Sequence, residues 1–149
     1  VKNGYTRFKK GDVIWAKITP CMQNGKCAVA RDLKNGLGFG STEFHVIRSK
    51  DQTKLLPEYI WLLLRLNHLR QAARRYFIGS AGQQRVPSEF LENLHIPLPS
   101  LKVQQLIVNR VRESYSEMSR EREAAERKSL EIKAEIEELI LGTKSIANS

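Results

Sequence analysis

The residues from Lys102 to Leu141 include neither proline nor glycine, and this run most strongly limits how the chain can fold. It predicts a single helix of about 40 residues, about 60 Å long at 1.5 Å per residue. Apolar or small residues recur along it every seven positions, at Val111, Met118, Ala125, Ile132 and Leu139. Because a helix cannot bury such a seam against itself, we expect these five residues to face a partner helix. The alternative is a lone solvated helix stabilised by Glu–Arg pairs.

Charge is unevenly distributed along the 149 residues, whose net charge is +9. Residues 1–102 hold 17 Lys and Arg against 7 Asp and Glu, whereas residues 103–141 hold 7 against 9. A basic body of this kind attracts polyanions, nucleic acid above all. The alternative is a basic surface that serves only solubility.

Alternation and turn signals predict three strands in the basic body. The segments rich in β-branched and aromatic residues are Asp12–Ile18, Lys26–Ala30 and Thr42–Arg48. Pro20 and the Asn24-Gly25 pair mark a turn between the first two strands. The glycine-rich segment Lys34–Ser41 is predicted to be a loop.

Two helices are predicted between the strands and the long helix. Residues 58 to about 77 have apolar residues at helical spacing and follow Pro57, so one helix is expected there. A short helix is predicted after Pro87, with Ser88 as its N-cap. The resulting fold class is α+β: a mixed sheet-and-helix domain followed by one long helix that forms a coiled coil.

The sequence lacks the residue patterns expected of an enzyme. The acids of the basic body form no close carboxylate pair of the kind that holds two metal ions. The glycine-rich Gly36–Ser41 precedes a predicted strand, whereas a dinucleotide-binding loop precedes a helix. Cys21 and Cys27 form no Cys-x-x-Cys pair, so small core residues are expected rather than a zinc site. The longest apolar run, Tyr59–Leu66, is interrupted by Arg65 and is too short to span a membrane.

Binding to duplex DNA fits the residues better than catalysis does. The stretch GSAGQQRVP, Gly79–Pro87, presents Gln83, Gln84 and Arg85, and side chains of these types read adenine and guanine in the major groove. Basic side chains elsewhere in the body would hold phosphates or contact bases. These candidates are Arg7, Lys9, Lys10, Lys17, Lys26, Arg74 and Arg75. The alternative is that Gln83, Gln84 and Arg85 brace the loop internally, and chemistry alone favours neither interpretation.

The order of four segments resembles the specificity subunit of type I restriction–modification systems. The segments are GDVIWAKITPCMQNGKCAV (Gly11–Val29), GFGSTEFHVIR (Gly38–Arg48), GSAGQQRVP (Gly79–Pro87) and IPLPSLKVQQLIV (Ile96–Val108). A long helix follows them directly, as it does in that family. Members carry two target-recognition domains and two such helices. The chain is therefore expected to be a truncated product or a fragment that lacks the N-terminal part of one recognition domain.

The resemblance implies a target-recognition domain at residues 1–100, a long helix for dimerisation or spacing at residues 101–142, and a flexible tail at residues 143–149. It also implies that the chain is not an enzyme and binds no cofactor, because S-adenosylmethionine, ATP and Mg²⁺ are expected on partner subunits. The expected partners are duplex DNA, modification (methyltransferase) subunits, the restriction subunit indirectly, and a second copy or specificity half paired through the helix. A cytoplasmic location, without membrane contact, is expected.

The resemblance includes the Gly79–Pro87 loop, although target sequences differ between family members. A shared motif is a poor candidate for reading a variable target. The resemblance therefore favours a structural or phosphate-contacting role for Gln83, Gln84 and Arg85. The stretch VKNGYTRFKK at residues 1–10 is at least as strong a candidate for reading bases.

Overall fold

The computed structural model describes residues 4–143, which form five strands and four α-helices. The strands are β1 Thr6–Lys9, β2 Val13–Ala16, β3 Cys27–Val29, β4 Leu37–Gly40 and β5 Phe44–Ile47. The helices are α1 Pro57–Arg65, α2 Asn67–Arg74, α3 Ser88–Glu92 and α4 Leu101–Ile140. Two compact units, residues 1–108 and 109–149, divide the chain. The predicted α+β fold class with one long C-terminal helix is confirmed.

A three-stranded antiparallel sheet in the order β3-β2-β5 forms the centre of the first unit. The three predicted strands are confirmed, with shorter ends than expected. Alternation along β2 sends Val13 and Trp15 into the core, where both side chains are fully buried. They pack there against apolar residues of the helices, among them Ile60, Leu69 and Phe90. Burial of these side chains holds the helices against one face of the sheet.

The remaining strands, β1 and β4, form a two-stranded antiparallel ribbon. The prediction of a loop over Lys34–Ser41 is therefore wrong for Leu37–Gly40, which is strand β4. Glycine has a low β propensity, so Gly38 and Gly40 concealed the strand in the sequence. Their missing side chains have a packing role, because a Cβ on Gly38 would lie 2.2 Å from the Phe8 ring.

The predicted single helix over residues 58–77 is instead two helices, α1 and α2. Leu66 between them has an extended backbone, with φ −58° and ψ 134°. In one straight helix Leu64 and Leu69 would point in different directions, since five residues turn the helix by about 500°. The break allows both leucines to enter the same core. Tertiary packing therefore overrides the continuous helical spacing.

The predicted Ser88 cap is also wrong. Helix α3 begins at Ser88, so Pro87 occupies the N-cap position, and no side chain accepts a capping hydrogen bond there. Pro57, by contrast, lies in the first turn of α1 as predicted. The difference at α3 follows from the extended backbone of Pro87, which places the boundary one residue earlier than expected.

Helix α4 is continuous from Leu101 to Ile140, which confirms the long helix predicted from the sequence. Two residues beyond its end lies Gly142, whose φ of +70° is favourable for glycine. The amides of Gly142 and Thr143 donate to the carbonyls of Leu139 and Glu138, at 3.3 and 3.0 Å. These bonds satisfy carbonyl groups that the helix end leaves open. The rest of the predicted tail, residues 144–149, lies outside the described residues. Among residues 4–143, no helix is long and apolar enough to cross a membrane.

A buried glutamine ties the first turn of α4 to the segment that precedes α1. The side chain of Gln104 is fully buried. Its Oε1 accepts a hydrogen bond from the Leu56 amide at 3.0 Å. Its Nε2 donates to the carbonyls of Lys54 and Pro99, at 2.7 and 2.9 Å. One side chain therefore satisfies three backbone groups.

We expect Gln104→Leu to lower the free energy of unfolding by about 2–4 kcal/mol, because leucine fills the space but leaves those three backbone groups without partners. Urea unfolding measures the change. Lys102→Leu is the control, since Lys102 is exposed on the same turn, and it should change stability by less than about 0.5 kcal/mol. Equal stabilities of the two variants would contradict this role for Gln104.

Candidate nucleic-acid interface

The Gly79–Pro87 loop is attached to the rest of the body through its backbone. Ile78 and Arg85 exchange two hydrogen bonds, at 3.0 and 2.9 Å, and so close the loop. On its other side, the Thr19 amide donates to the Gln84 carbonyl and the Val86 amide donates to the Lys17 carbonyl, both at 2.9 Å. The loop is therefore fixed at its base on both edges. The tip of the loop, from Gly79 to Gln83, makes no backbone hydrogen bond to residues 17–19.

An ion pair adds a side-chain attachment. The Arg85 guanidinium donates from Nε and Nη2 to the two carboxylate oxygens of Glu43, both at 2.7 Å. Its Nη1 also donates to the Gln83 carbonyl at 2.7 Å. Hydrogen bonds from Arg85, followed by the charges of Arg85 and Lys17, hold the pKa of Glu43 below its ordinary value. The pair is therefore intact at neutral pH and is lost only as the pH falls through that lowered pKa.

A histidine adds a third attachment between loop and sheet. Nε2 of His45, on β5, donates to the Val86 carbonyl at 2.8 Å. Burial lowers the pKa of His45, and the charge of Lys17 lowers it further, against an opposing contribution from the bond to Val86. The imidazole is thus neutral at pH 7 with the proton on Nε2. In this setting the imidazole holds the loop against β5.

The turn at Pro20–Gly25 lies between Lys17 and Lys26. It is held by a residue that the sequence did not single out. Arg70, on α2, donates from Nη1 to the Gln23 carbonyl. Glycine at position 25 is favoured by its backbone φ of +70°. A Cβ there would lie in ordinary contact with the Arg70 guanidinium, at 3.4 Å. Arg70 lies one helical turn before Arg74. Its residue type alone does not predict that it contacts the Pro20–Gly25 turn rather than solvent.

The predicted DNA-contacting residues fall on several elements. Arg7 and Lys9 are exposed on β1, Lys10 follows them, and Arg74 and Arg75 are exposed at the end of α2. The Lys17 amide donates to the Glu43 carbonyl at 3.0 Å, and the charge of Lys17 lowers the pKa of both Glu43 and His45. Lys26 is exposed just before β3 and Gln83 is exposed in the loop, whereas Gln84 is half-buried. Arg85 is engaged by Glu43, which favours internal bracing for that residue.

The residues of the predicted helix seam lie along α4. Met118 and Ile132 are 62% and 48% exposed, and Ala125 is exposed as well. Val111 and Leu139 are half-buried. Exposure of large apolar side chains such as Met118 and Ile132 to water is unfavourable. This part of α4 therefore presents apolar surface that a partner could bury.

The cysteines do not form a metal or disulfide site in the described part of the chain. Cys21 and Cys27 are both free and half-buried. Burial raises the pKa of Cys27 to about 12, so its thiol is protonated at neutral pH. Among residues 4–143, no group of three or more His, Cys, Asp or Glu side chains is arranged to hold a metal ion.

Comparisons with known proteins agree with this geometry. Residues 1–126 match the family described as "Type I restriction modification DNA specificity domain", and the chain belongs to this family. It is 39% identical over 143 residues to the specificity subunit of the type I restriction enzyme EcoAI from Escherichia coli, covering 96% of this chain and 24% of that subunit. With the EcoEI specificity subunit from the same organism it shares 44% identity over 108 residues, 72% of this chain and 18% of that subunit.

A solved structure has the same fold. The HsdS subunit from Thermoanaerobacter tengcongensis is 27% identical, with a TM-score of 0.62, and the match covers 95% of this chain and 34% of that one. The chain thus spans about a quarter or less of the length of the two curated relatives, at 24% and 18%. The resemblance to specificity subunits is confirmed.

The two interpretations of Arg85 predict opposite effects of Glu43→Gln on affinity for duplex DNA. If Glu43 positions Arg85 and the loop, the substitution weakens binding, by about fivefold, or about 1 kcal/mol. If Arg85 instead contacts DNA directly, removing its acidic partner strengthens binding. We expect weakening, measured by fluorescence anisotropy. Glu89→Gln is the control, since it removes an exposed acid from α3 without breaking the Arg85 pair.

Proposed function

We propose that this chain is a DNA-recognition part of a type I restriction–modification specificity subunit and that its basic body binds duplex DNA. The observation that carries the proposal is the charge of the body, 17 basic against 7 acidic residues in positions 1–102. Four of those acids are paired with a basic side chain, namely Asp12, Glu43, Asp51 and Glu58. The unpaired excess is positive, as contact with phosphates requires.

In this function the chain recognises DNA and catalyses no reaction itself. Modification subunits would carry S-adenosylmethionine and transfer the methyl group, and a restriction subunit would use ATP with Mg²⁺. The chain would direct those subunits to their DNA target. Nε2 of His45 is bonded to the Val86 carbonyl and the Cys27 thiol is buried and protonated, which is consistent with this division.

Helix α4 is proposed to pair with a second copy of the chain or with another specificity half. Its charge is nearly balanced, with 7 basic and 9 acidic residues at positions 103–141. Exposed apolar side chains recur along the same stretch, including Met118, Leu130, Ile132 and Ile136. Burying such residues between helices is the usual source of coiled-coil stability. The helix would thereby set the distance between two recognition domains.

We expect the chain to bind random duplex DNA with an affinity that falls steeply with salt, because phosphate contacts release counterions. Three phosphate contacts already correspond to a loss of roughly 40-fold between 50 and 200 mM salt. Fluorescence anisotropy at the two salt concentrations measures the slope. Undetectable binding at the lower concentration would contradict the proposal.

A helix-mediated assembly module with little DNA binding of its own is the second candidate. The exposed apolar residues of α4 favour it, because they provide a protein-binding surface that does not depend on the basic body. Both candidates share the helix pairing and differ in whether the body binds DNA. The salt-dependent titration therefore separates them.

The paired variant Met118→Lys with Ile132→Lys is expected to abolish self-association while DNA binding by the body remains. Two buried lysines at one seam have no partners and repel each other across the interface. Light scattering after size exclusion measures the mass. The control carries Ser116→Lys and Ser119→Lys, which add the same charge at positions outside the predicted seam and should leave the mass unchanged. An unaltered mass in the first variant would argue against the seam.

A further inference from the structure

The β1–β4 ribbon has two faces of different character. In the register of the two strands, Phe8 lies opposite Gly38 and Arg7 lies opposite Phe39. The inner face carries Phe8, whose ring packs edge-on against Phe44 of the central sheet, with 6.0 Å between ring centroids. Gly38 makes this packing possible by leaving space for the Phe8 ring. The inner face is thus covered by the body of the protein.

The outer face carries cations and an exposed aromatic ring. Arg7 and Lys9 are exposed on β1, and Phe39 on β4 is 47% exposed. The segments Gly4–Lys10 and Lys34–Ser41 contain four basic residues and no acidic residue. Phe39 lies directly opposite Arg7 in the register of the two strands, so an exposed aromatic ring and a cation are adjacent on this face. The charge of the ribbon makes a polyanion the complementary occupant.

The base of the ribbon is fixed by a buried carboxylate. Asp12 is 1% exposed and accepts a hydrogen bond from the Lys9 amide at 2.6 Å. The Arg48 guanidinium donates to both oxygens of the same carboxylate, at 2.6 and 2.7 Å. The Lys10 amide donates to the Gly36 carbonyl at 3.1 Å, beside the paired strands. The outer face is therefore presented by a rigid support, which lowers the entropic cost of binding.

We propose that the outer face of the β1–β4 ribbon enters the major groove of duplex DNA, with Arg7 on a base edge or phosphate. Phe39 beside it packs against whichever thymine methyl group the groove presents, a contact that suits many targets because Phe39 lies in a segment shared with the family. The proposal rests on the proposed function and assigns a site to it. The major groove, about 12 Å wide, admits a two-stranded ribbon. Phenylalanine is one of the side chains that contact the thymine methyl group, and arginine pairs with guanine or with phosphate.

Photocrosslinking tests this placement without knowledge of the target sequence. The probe is random duplex DNA in which 5-iodouracil replaces thymine, so that iodine occupies the position of the methyl group in the major groove. The full chain is irradiated with this duplex, and crosslinked peptides are identified by mass spectrometry. We expect the crosslinked peptide to contain Phe39.

Two variants accompany the crosslinking. Phe39→Ala is expected to lose that crosslink and to bind thymine-containing duplex about fivefold more weakly. Tyr115→Ala is the control, because Tyr115 is also 47% exposed but lies on α4, and it should retain both the crosslink and the affinity. Arg7→Ala is expected to lower the salt slope by about one unit if Arg7 holds a phosphate.

The outcomes separate the ribbon from the proposed function. If the wild-type chain binds duplex with a steep salt slope but crosslinks only elsewhere, and Phe39→Ala binds normally, the ribbon proposal is overturned and the proposed function stands. If the wild-type chain binds no duplex at low salt, both are overturned. A change of oligomeric state in Phe39→Ala with unchanged DNA affinity would identify the ribbon as a protein contact and would likewise overturn the proposal.

Discussion

The bidentate ion pair between Arg85 and Glu43 joins the Gly79–Pro87 loop to the residue that precedes β5 of the central sheet. With 37% and 33% of their side-chain surfaces exposed, the two residues gain only modest stability from the pair. Its main consequence is geometric, because two parallel hydrogen bonds fix direction as well as distance. The backbone bonds of Ile78, Thr19 and Val86 then keep the loop in one register on the sheet.

Internal pairing of acids recurs in the body. Asp12 is held by Arg48 at the base of the β1–β4 ribbon, and Glu43 is held by Arg85 at the base of the loop. In each pair the acidic residue helps to hold a segment whose other side chains are exposed to solvent. Arg7 on the ribbon and Gln83 in the loop are exposed in this way. In the proposed function, supporting residues and DNA-contacting residues are thus different residues on the same segments.

Much of the fold could be predicted from the sequence, and the failures have physical causes. The three central strands and α4 were predictable because alternation and an uninterrupted helical run are local signals. Strand β4 was concealed because its glycines serve the Phe8 ring, a neighbour about thirty positions away. The helix break at Leu66 and the Arg85–Glu43 pair likewise depend on contacts between distant segments. Neither the composition nor the residue spacing of a single segment indicates contacts with distant segments.

Hydrogen–deuterium exchange of the full chain, with and without saturating duplex DNA, tests most directly the claim that the basic body is the DNA-binding part. If the body binds DNA, exchange slows on DNA binding at the β1–β4 ribbon and at residues 79–87, with little change along residues 110–140 of α4. Slower exchange confined to α4, with the body unaffected, would contradict it.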